Sequence, residues 1–359
     1  MDLAGLIQND ALLAAEAGRL RFDPEARFPI VLAKIKLTWR CNLRCRICAI
    51  WRQAGLPPGS ATLTPGLVKT TLAALAGQGL RKVHFSGGEV LLWPGLEEVV
   101  RFGRGLGLQV NLTTNGTLLG KEEARWLVEA RVHTVAFSLD AAVEKKHDAM
   151  RGVEGAWRQT WKGIRCLQSR KAQKGRGPLI AVNTVVTRKN IERLPEMHAV
   201  LKESGVEAWR LLPVRTKLEK KLRPTAEQWA WAAGQWRDWQ PLLTRPLAGW
   251  RSAREARLAA KGKYAGTAFD EGFCYAPWFS LFLDADGEVY PCCTGRQEMP
   301  SYGSLTRQTI EEALGSRTRC EVSAGMASGH LFDVCLSCDE FLEENEVFAR
   351  AAEKEVCGV

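Results

Sequence analysis

From residue 33 onward the chain repeats one unit: a short apolar and β-branched run, a turn, then about 10 to 15 residues with apolar positions at helical spacing. The runs fall at 33–39, 82–86, 109–114, 134–139, 180–186 and 208–212, with helical stretches between them, for example 65–77 and 122–130. Six strands each followed by helical material predict an α/β fold with a parallel sheet covered outside by helices, because parallel neighbours need crossover connections. Ahead of this repeat, Leu3, Leu6, Ile7, Leu12 and Leu13 lie at helical spacing before Pro24 and Pro29, so residues 1–30 read as a helical arm.

The rhythm breaks over residues 216–270, which are rich in Lys, Arg and Trp and interrupted by Pro224, Pro241 and Pro246. Trp229, Trp231, Trp236 and Trp239 offer rings for base stacking, but Trp at helical spacing more often packs, and the segment reads as a helical connector. The division predicted is therefore an arm (1–30), a core (31–215), a connector (216–270) and a cysteine-rich α+β region (271–359). Seven of the eleven cysteines lie from Cys274 to Cys357. A region of that size has little apolar core and is a candidate for metal stapling.

The 359 residues carry 50 Lys+Arg against 40 Asp+Glu, a net charge of +10, with 46% hydrophobic and 25% charged residues. These values exclude disordered, fibrous and disulfide-miniprotein classes. The modest positive excess reads first as a solvated surface, with RNA or a leader peptide as the anionic alternative. No apolar run approaches the roughly 20 residues that span a bilayer, and the opening MDLAGLIQND lacks a basic, then apolar, signal pattern. A cytoplasmic protein without a membrane partner is expected, and there so many thiols point to metal chemistry rather than to disulfides.

Cys41, Cys45 and Cys48 directly follow the first strand, and their spacing lets three thiolates from one loop bind three corners of a cubane iron–sulfur cluster, leaving the fourth iron open. An open metal position is what a reaction centre needs. Zinc is the alternative, yet the loop offers no fourth His or Cys. This three-cysteine pattern, followed by Gly87, Gly88 and Glu89 at the end of the second strand, resembles the radical S-adenosylmethionine (SAM) superfamily.

The resemblance implies a partial (β/α)6 TIM-like barrel of parallel strands. It implies that Cys41, Cys45 and Cys48 hold a [4Fe–4S] cluster whose unique iron chelates SAM, which is cleaved by one-electron reduction to a 5′-deoxyadenosyl radical. Gly87, Gly88 and Glu89 would contact the methionine amino group, the glycines by allowing close backbone approach and Glu89 by its charge. Asn115 ends the third strand and Ser138 and Asp140 end the fourth, where they can face a ribose. Arg151 would fork onto the SAM carboxylate, and Asn183 on the fifth strand is a partner for the nucleoside. Each of these also has an ordinary reading as turn chemistry. One departure is Ile47, where the family usually carries an aromatic residue before the third cysteine.

In the C-terminal region residues 286–293 read as a strand–turn–strand hairpin that delivers a thiolate, and Cys335 and Cys338 supply a closely spaced pair. Cys274, Cys292, Cys335 and Cys338 together make a closed four-thiolate site that resembles the SPASM and twitch extensions of radical SAM enzymes. A full SPASM module has further cysteines where this chain has Glu344 and Phe348, so one auxiliary [4Fe–4S] cluster is expected. Cys293 competes with Cys292, while Cys320 and Cys357 can substitute for another of the four, and zinc is the alternative metal. Cys166, on a helix, reads as a small buried hydrophobe.

Two enzymatic functions follow from the resemblance. The first is a two-electron oxidation of a small molecule such as an aminocyclitol or sugar. The second is maturation of a ribosomally made peptide by crosslinking, oxidation or epimerisation, where a free thiol at Cys293, Cys320 or Cys357 would return a hydrogen atom. No leader-recognition segment is evident in residues 1–30, which places the dehydrogenase first. A non-catalytic iron–sulfur or zinc-binding protein is the reading from another class, and it has no need of an open three-cysteine loop followed by GGE. The implied partners are a small-molecule or peptide substrate and a low-potential donor such as flavodoxin or ferredoxin; nucleic acid is not expected.

Overall fold

A computed structural model describes residues 29–48, 50–53, 63–215, 220–244, 247, 250–267 and 274–339. The N-terminal arm, Glu344, Phe348 and Cys357 lie outside the described residues. Six parallel strands form in the predicted places: β1 (Leu32–Lys36), β2 (Lys82–Ser86), β3 (Gln109–Thr114), β4 (Thr134–Ser138), β5 (Leu179–Val186) and β6 (Ala208–Pro213). Between them run α1 (Pro65–Gly77), α2 (Leu96–Gly105), α3 (Lys121–Glu129), α4 (Glu144–Arg151), α5 (Ala156–Lys174) and α6 (Leu194–Glu203). Helix α1 starts where the sequence predicts it, because the Thr64 hydroxyl accepts from the Leu67 amide at 3.2 Å and Pro65 occupies the first turn.

Alternation along the strands separates two faces. Ala33, Ile35, Val83, Phe85, Val110, Leu112, Val135 and Phe137 are fully or almost fully buried in the main core. The other face carries the site. There Ala136, Ala181 and Ala208 stand side by side on β4, β5 and β6 and form a small cluster of their own. Small side chains leave room above them, and one step further along the same strands Ser138, Asn183 and Arg210 are aligned in register.

The sheet does not stop at six strands. Its order is β6-β5-β4-β3-β2-β1-β7-β8-β9, where β7 is Ser280–Leu283, β8 Glu288–Tyr290 and β9 Gly303–Ser304. Strand β7 pairs in parallel with β1, and β7–β8 is the hairpin expected around Asp286 and Gly287. The cysteine-rich region thus shares a continuous sheet with the barrel strands instead of standing apart from them. Helices α7 (Ala226–Ala233) and α8 (Ala253–Ala260) fall within residues 216–270, and α9 (Ile310–Leu314) and α10 (Arg317–Ala327) follow the last strand. Trp229 and Trp239 are buried, with Trp239 edge-on to Trp250 at 5.7 Å and tilted against Trp209 at 5.6 Å, so these two rings pack rather than stack bases; Trp231 is exposed. No helix among the described residues is long and apolar enough to cross a membrane.

Candidate active site

Strand β1 ends at Lys36, three residues short of the predicted boundary, because the chain leaves the sheet to build the cysteine loop. The loop is braced on three sides. Gly88 and Glu89 donate their backbone N–H groups to the carbonyls of Thr38 and Arg40 at 2.7 and 2.8 Å. Arg44 and Arg46 donate to the carbonyls of Arg151 and Met150 at 3.0 and 3.2 Å. The Asn115 amide donates to Asn42 at 2.8 Å, and the Trp51 indole donates to the Cys45 carbonyl at 2.9 Å. A Cβ on Gly88 would lie 2.2 Å from the Arg40 carbonyl oxygen, so only glycine lets the strip run this close to the loop.

Above the strand ends opens a cavity of about 410 Å³. Its walls include Cys41, Cys45 and Cys48, Gly87 and Gly88, Asn115, Ser138 and Arg151, together with Arg215 and Asp339. The carboxyl ends of parallel strands are where such folds place their chemistry. Of the residues singled out from sequence, the structure brings eight to this one cavity and sets Glu89, Asp140 and Asn183 beside it.

Several of them are engaged differently from expectation. Glu89 is buried and its carboxylate is turned into the protein, accepting from the Thr114 hydroxyl at 2.6 Å and from the Asn115 and Leu91 amides at 2.7 and 3.1 Å. Burial pushes its carboxyl up while these three donors pull it down. Its visible work is to fix the start of the Asn115 turn. Asn115 in turn braces Asn42, reaches the Cys41 sulfur at 3.9 Å and accepts from the Thr117 amide at 2.9 Å. Asp140 is buried, accepts from the Val185 amide at 2.9 Å and forms an ion pair with Arg151 at 2.8 Å. Arg151 also lies 3.9 Å from the Cys45 sulfur, so its guanidinium already has an anionic partner inside the protein. Beside this pair His147 is fully buried, and burial, then Arg151, pull its pKa down to about 3. Ser138 lines the cavity, and the neighbouring Asn183 amide oxygen is buried without a hydrogen-bond partner. That open acceptor, next to a serine on the cavity wall, fits a polar nucleoside better than an apolar ligand.

The donor set of the loop fits iron–sulfur chemistry. Burial pushes the thiols of Cys41 and Cys45 up, with Arg151 opposing the effect at Cys45. Thiolates in such surroundings need positive charge, which ligated iron supplies. Among the described residues no three His, Cys, Asp or Glu side chains are gathered as ligands of a single ion. Thiolates of a cluster each bind a different iron, so that gathering is not required of them.

The second cysteine group is buried. Cys274, Cys292, Cys335 and Cys338 line one small apolar cavity with Met299 and Met326. Burial pushes the thiols of Cys292, Cys335 and Cys338 up, and Cys292 receives the Gly295 amide at 3.3 Å. Cys293 faces elsewhere: Lys34 donates to its sulfur at 3.7 Å. Cys320 is exposed on α10 and Cys166 is partly buried on α5, packed against the core. Cys292→Ser is therefore expected to lose about four irons per chain and Cys293→Ser none, by iron and sulfide quantitation of anaerobically purified protein. Loss of iron from the second variant alone would exchange their roles.

Sequence reasoning missed the residues that join the two cysteine groups. Arg215, on the cavity wall, forms an ion pair with Asp339 at 3.1 Å and donates to the Thr294 hydroxyl at 2.6 Å, and Thr294 lies 3.8 Å from the Cys338 sulfur. It also missed Asp284, which is fully buried between Lys36 at 3.4 Å, the Trp39 indole at 2.9 Å and Arg296. Asp339 follows the CxxC pair directly and was the one readable signal.

The radical SAM superfamily model matches residues 35–201, and the SPASM iron–sulfur cluster-binding domain model matches residues 274–339. An AdoMet-dependent heme synthase of Methanosarcina barkeri is 36% identical over 174 residues, 48% of this chain and 48% of that protein, so the chain spans about half the length of such curated relatives. A GTP 3′,8-cyclase of Pelotomaculum thermopropionicum is 30% identical over 304 residues, 79% of this chain and 86% of that protein. A PqqA peptide cyclase of Streptomyces rochei is 28% identical over 343 residues, 89% of this chain and 84% of that protein. Among solved structures, Streptococcus suis SuiB bound to its precursor peptide SuiA superposes with a TM-score of 0.67 at 14% identity, covering 90% of this chain and 74% of that chain. That likeness is one of fold.

Proposed function

Given that the chain belongs to the radical SAM superfamily and carries a SPASM iron–sulfur domain, we propose that it modifies a ribosomally made peptide by a radical oxidation or crosslink. The observation that carries this reading is one cavity lined both by the three-cysteine loop and by Arg215 with Asp339, the neighbour of Cys338. A substrate held there touches the loop of the first cysteine group and the residue that follows the last cysteine of the second. Two relatives aligned over most of the chain support a peptide over an aminocyclitol, the PqqA peptide cyclase and, at 25% identity over 332 residues, the Bacillus subtilis subtilosin biosynthesis protein AlbA, while the GTP 3′,8-cyclase speaks for neither.

On this reading Cys41, Cys45 and Cys48 hold the SAM-binding cluster and Cys274, Cys292, Cys335 and Cys338 the auxiliary one. The bound cluster and SAM supply the one-electron cleavage that starts the reaction. The chain's own residues do the positioning. Gly87 and Gly88 present backbone to the amino acid end of SAM, while Ser138 and Asn183 offer a hydroxyl and an amide oxygen to the nucleoside. Arg151 and Asp140 form a buried ion pair beside the Cys45 sulfur and steady the loop there.

The test is anaerobic incubation of reconstituted protein with SAM, a reductant and deuterated short peptides encoded beside its gene. Deuterium in 5′-deoxyadenosine and a peptide lighter by a pair of hydrogens are expected. Label arriving only from an aminocyclitol or sugar would return the dehydrogenase reading to first place.

A further inference from the structure

A second cavity, of about 390 Å³, borders the cysteine loop at Arg46 and Ile47. Ile47 takes part in both cavities, and Arg46, between Cys45 and Cys48 in sequence, sits on this second one. The lining is apolar at Ile47, Leu194, Met197 and Leu222, while Arg46, Lys146 and Lys189 are exposed around it. None of these three cations has an ion pair among the described residues. The acids that share the cavity are already matched, Glu196 by Arg193 at 3.1 Å and Asp140 by Arg151 at 2.8 Å. The backbone bonds from Arg44 and Arg46 to α4 fasten this rim and the cysteine loop into one unit.

The reaction class takes its electrons singly from outside the chain, and electron tunnelling falls steeply with distance, so a donor must seat close to the loop. We propose that this cavity is the docking face for a small acidic flavoprotein carrier, with Arg46, Lys146 and Lys189 meeting its carboxylates and the apolar lining receiving the exposed dimethylbenzene edge of its flavin. Unmatched charge at a rim steers encounter, and a small apolar centre is enough for a transient electron-transfer contact. In the transfer itself the carrier is oxidised by one electron and the cluster reduced by one, with no bond made or broken. An acidic leader peptide is the competing occupant. The carrier is favoured because the rim adjoins the cluster loop itself, where an electron and not a peptide must arrive.

The decisive experiment uses reconstituted holoenzyme with SAM and compares reduced flavodoxin with dithionite, which needs no docking. In Lys146→Glu/Lys189→Glu, flavodoxin-driven deoxyadenosine formation should fall about tenfold or more at low salt, and flavodoxin affinity, read by flavin fluorescence titration, should weaken by a similar factor. The dithionite-driven rate should not change, and it reports the radical chemistry separately from docking. Should charge reversal lower the iron content, Lys146→Gln/Lys189→Gln is read in its place, with a smaller loss expected in the same two measurements. An unchanged flavodoxin rate and affinity overturn the proposal. So does an equal fall with dithionite, which would assign the cavity to SAM or substrate, and so does weakened binding of an acidic leader peptide with flavodoxin unaffected.

Discussion

Replacing Cys41, Cys45 and Cys48 together by Ala is expected to remove about four irons per chain and to lower deoxyadenosine formation by on the order of a thousandfold or more, leaving the auxiliary iron in place. The three sulfurs come from one short loop that is braced by backbone bonds from the GGE strip and from the end of α4. Because that bracing does not pass through the thiols, the variant should fold and keep its far-UV circular dichroism. Iron quantitation and Mössbauer spectra would check the first part, and chromatography of the nucleoside products the second. A variant that still cleaves SAM under dithionite would sink the assignment of this loop, and with it the reading of the cavity above the strands.

Arg151→Leu is expected to cost about 3–5 kcal/mol of stability, because it leaves the buried Asp140 carboxylate without its cation. Asp140 is 1% exposed and Arg151 is 9% exposed, so water cannot take over the charge. The same substitution removes the cation 3.9 Å from the Cys45 sulfur, so a lower yield of loop cluster on reconstitution is expected as well. Arg151→Leu/Asp140→Asn should recover most of the lost stability, since the neutral pair buries no unmatched charge. Thermal unfolding of the three proteins checks this. If the double variant is no more stable than the single one, the ion pair is not what steadies the loop.

Much of the barrel is legible from sequence because each strand is an apolar run set off by turn residues and followed by an amphipathic helix. Strands β2 and β3 fall on the residues read from pattern, and the cysteine loop and GGE strip sit where spacing puts them. What escaped depends on tertiary burial. Glu89 reads as a charge offered to a ligand, yet the strip is packed so closely on residues 38–40 that its carboxylate is spent on Thr114, Leu91 and Asn115. Asp140 and Arg151 read as two separate ligand contacts and turn out to satisfy each other. Strand β7 is four residues long, three of them apolar, too short to reveal that it joins β1 in parallel. The choice between Cys292 and Cys293 is open in a CC dipeptide and closes only when the two sulfurs are seen to face different neighbours.

The pairing of β1 with β7 ties the two ends of the described chain into one sheet. Strand β1 carries the cysteine loop at its end, and β7 supplies its second backbone partner, so cutting the chain before residue 274 would strip one flank of the strand that presents the loop. A bared, apolar strand flank invites other chains to pair with it. Fragments ending ahead of the cysteine-rich region should accumulate as insoluble aggregates, and grafting a foreign tail onto the barrel would succeed only if that tail brought its own ribbon to seal the gap.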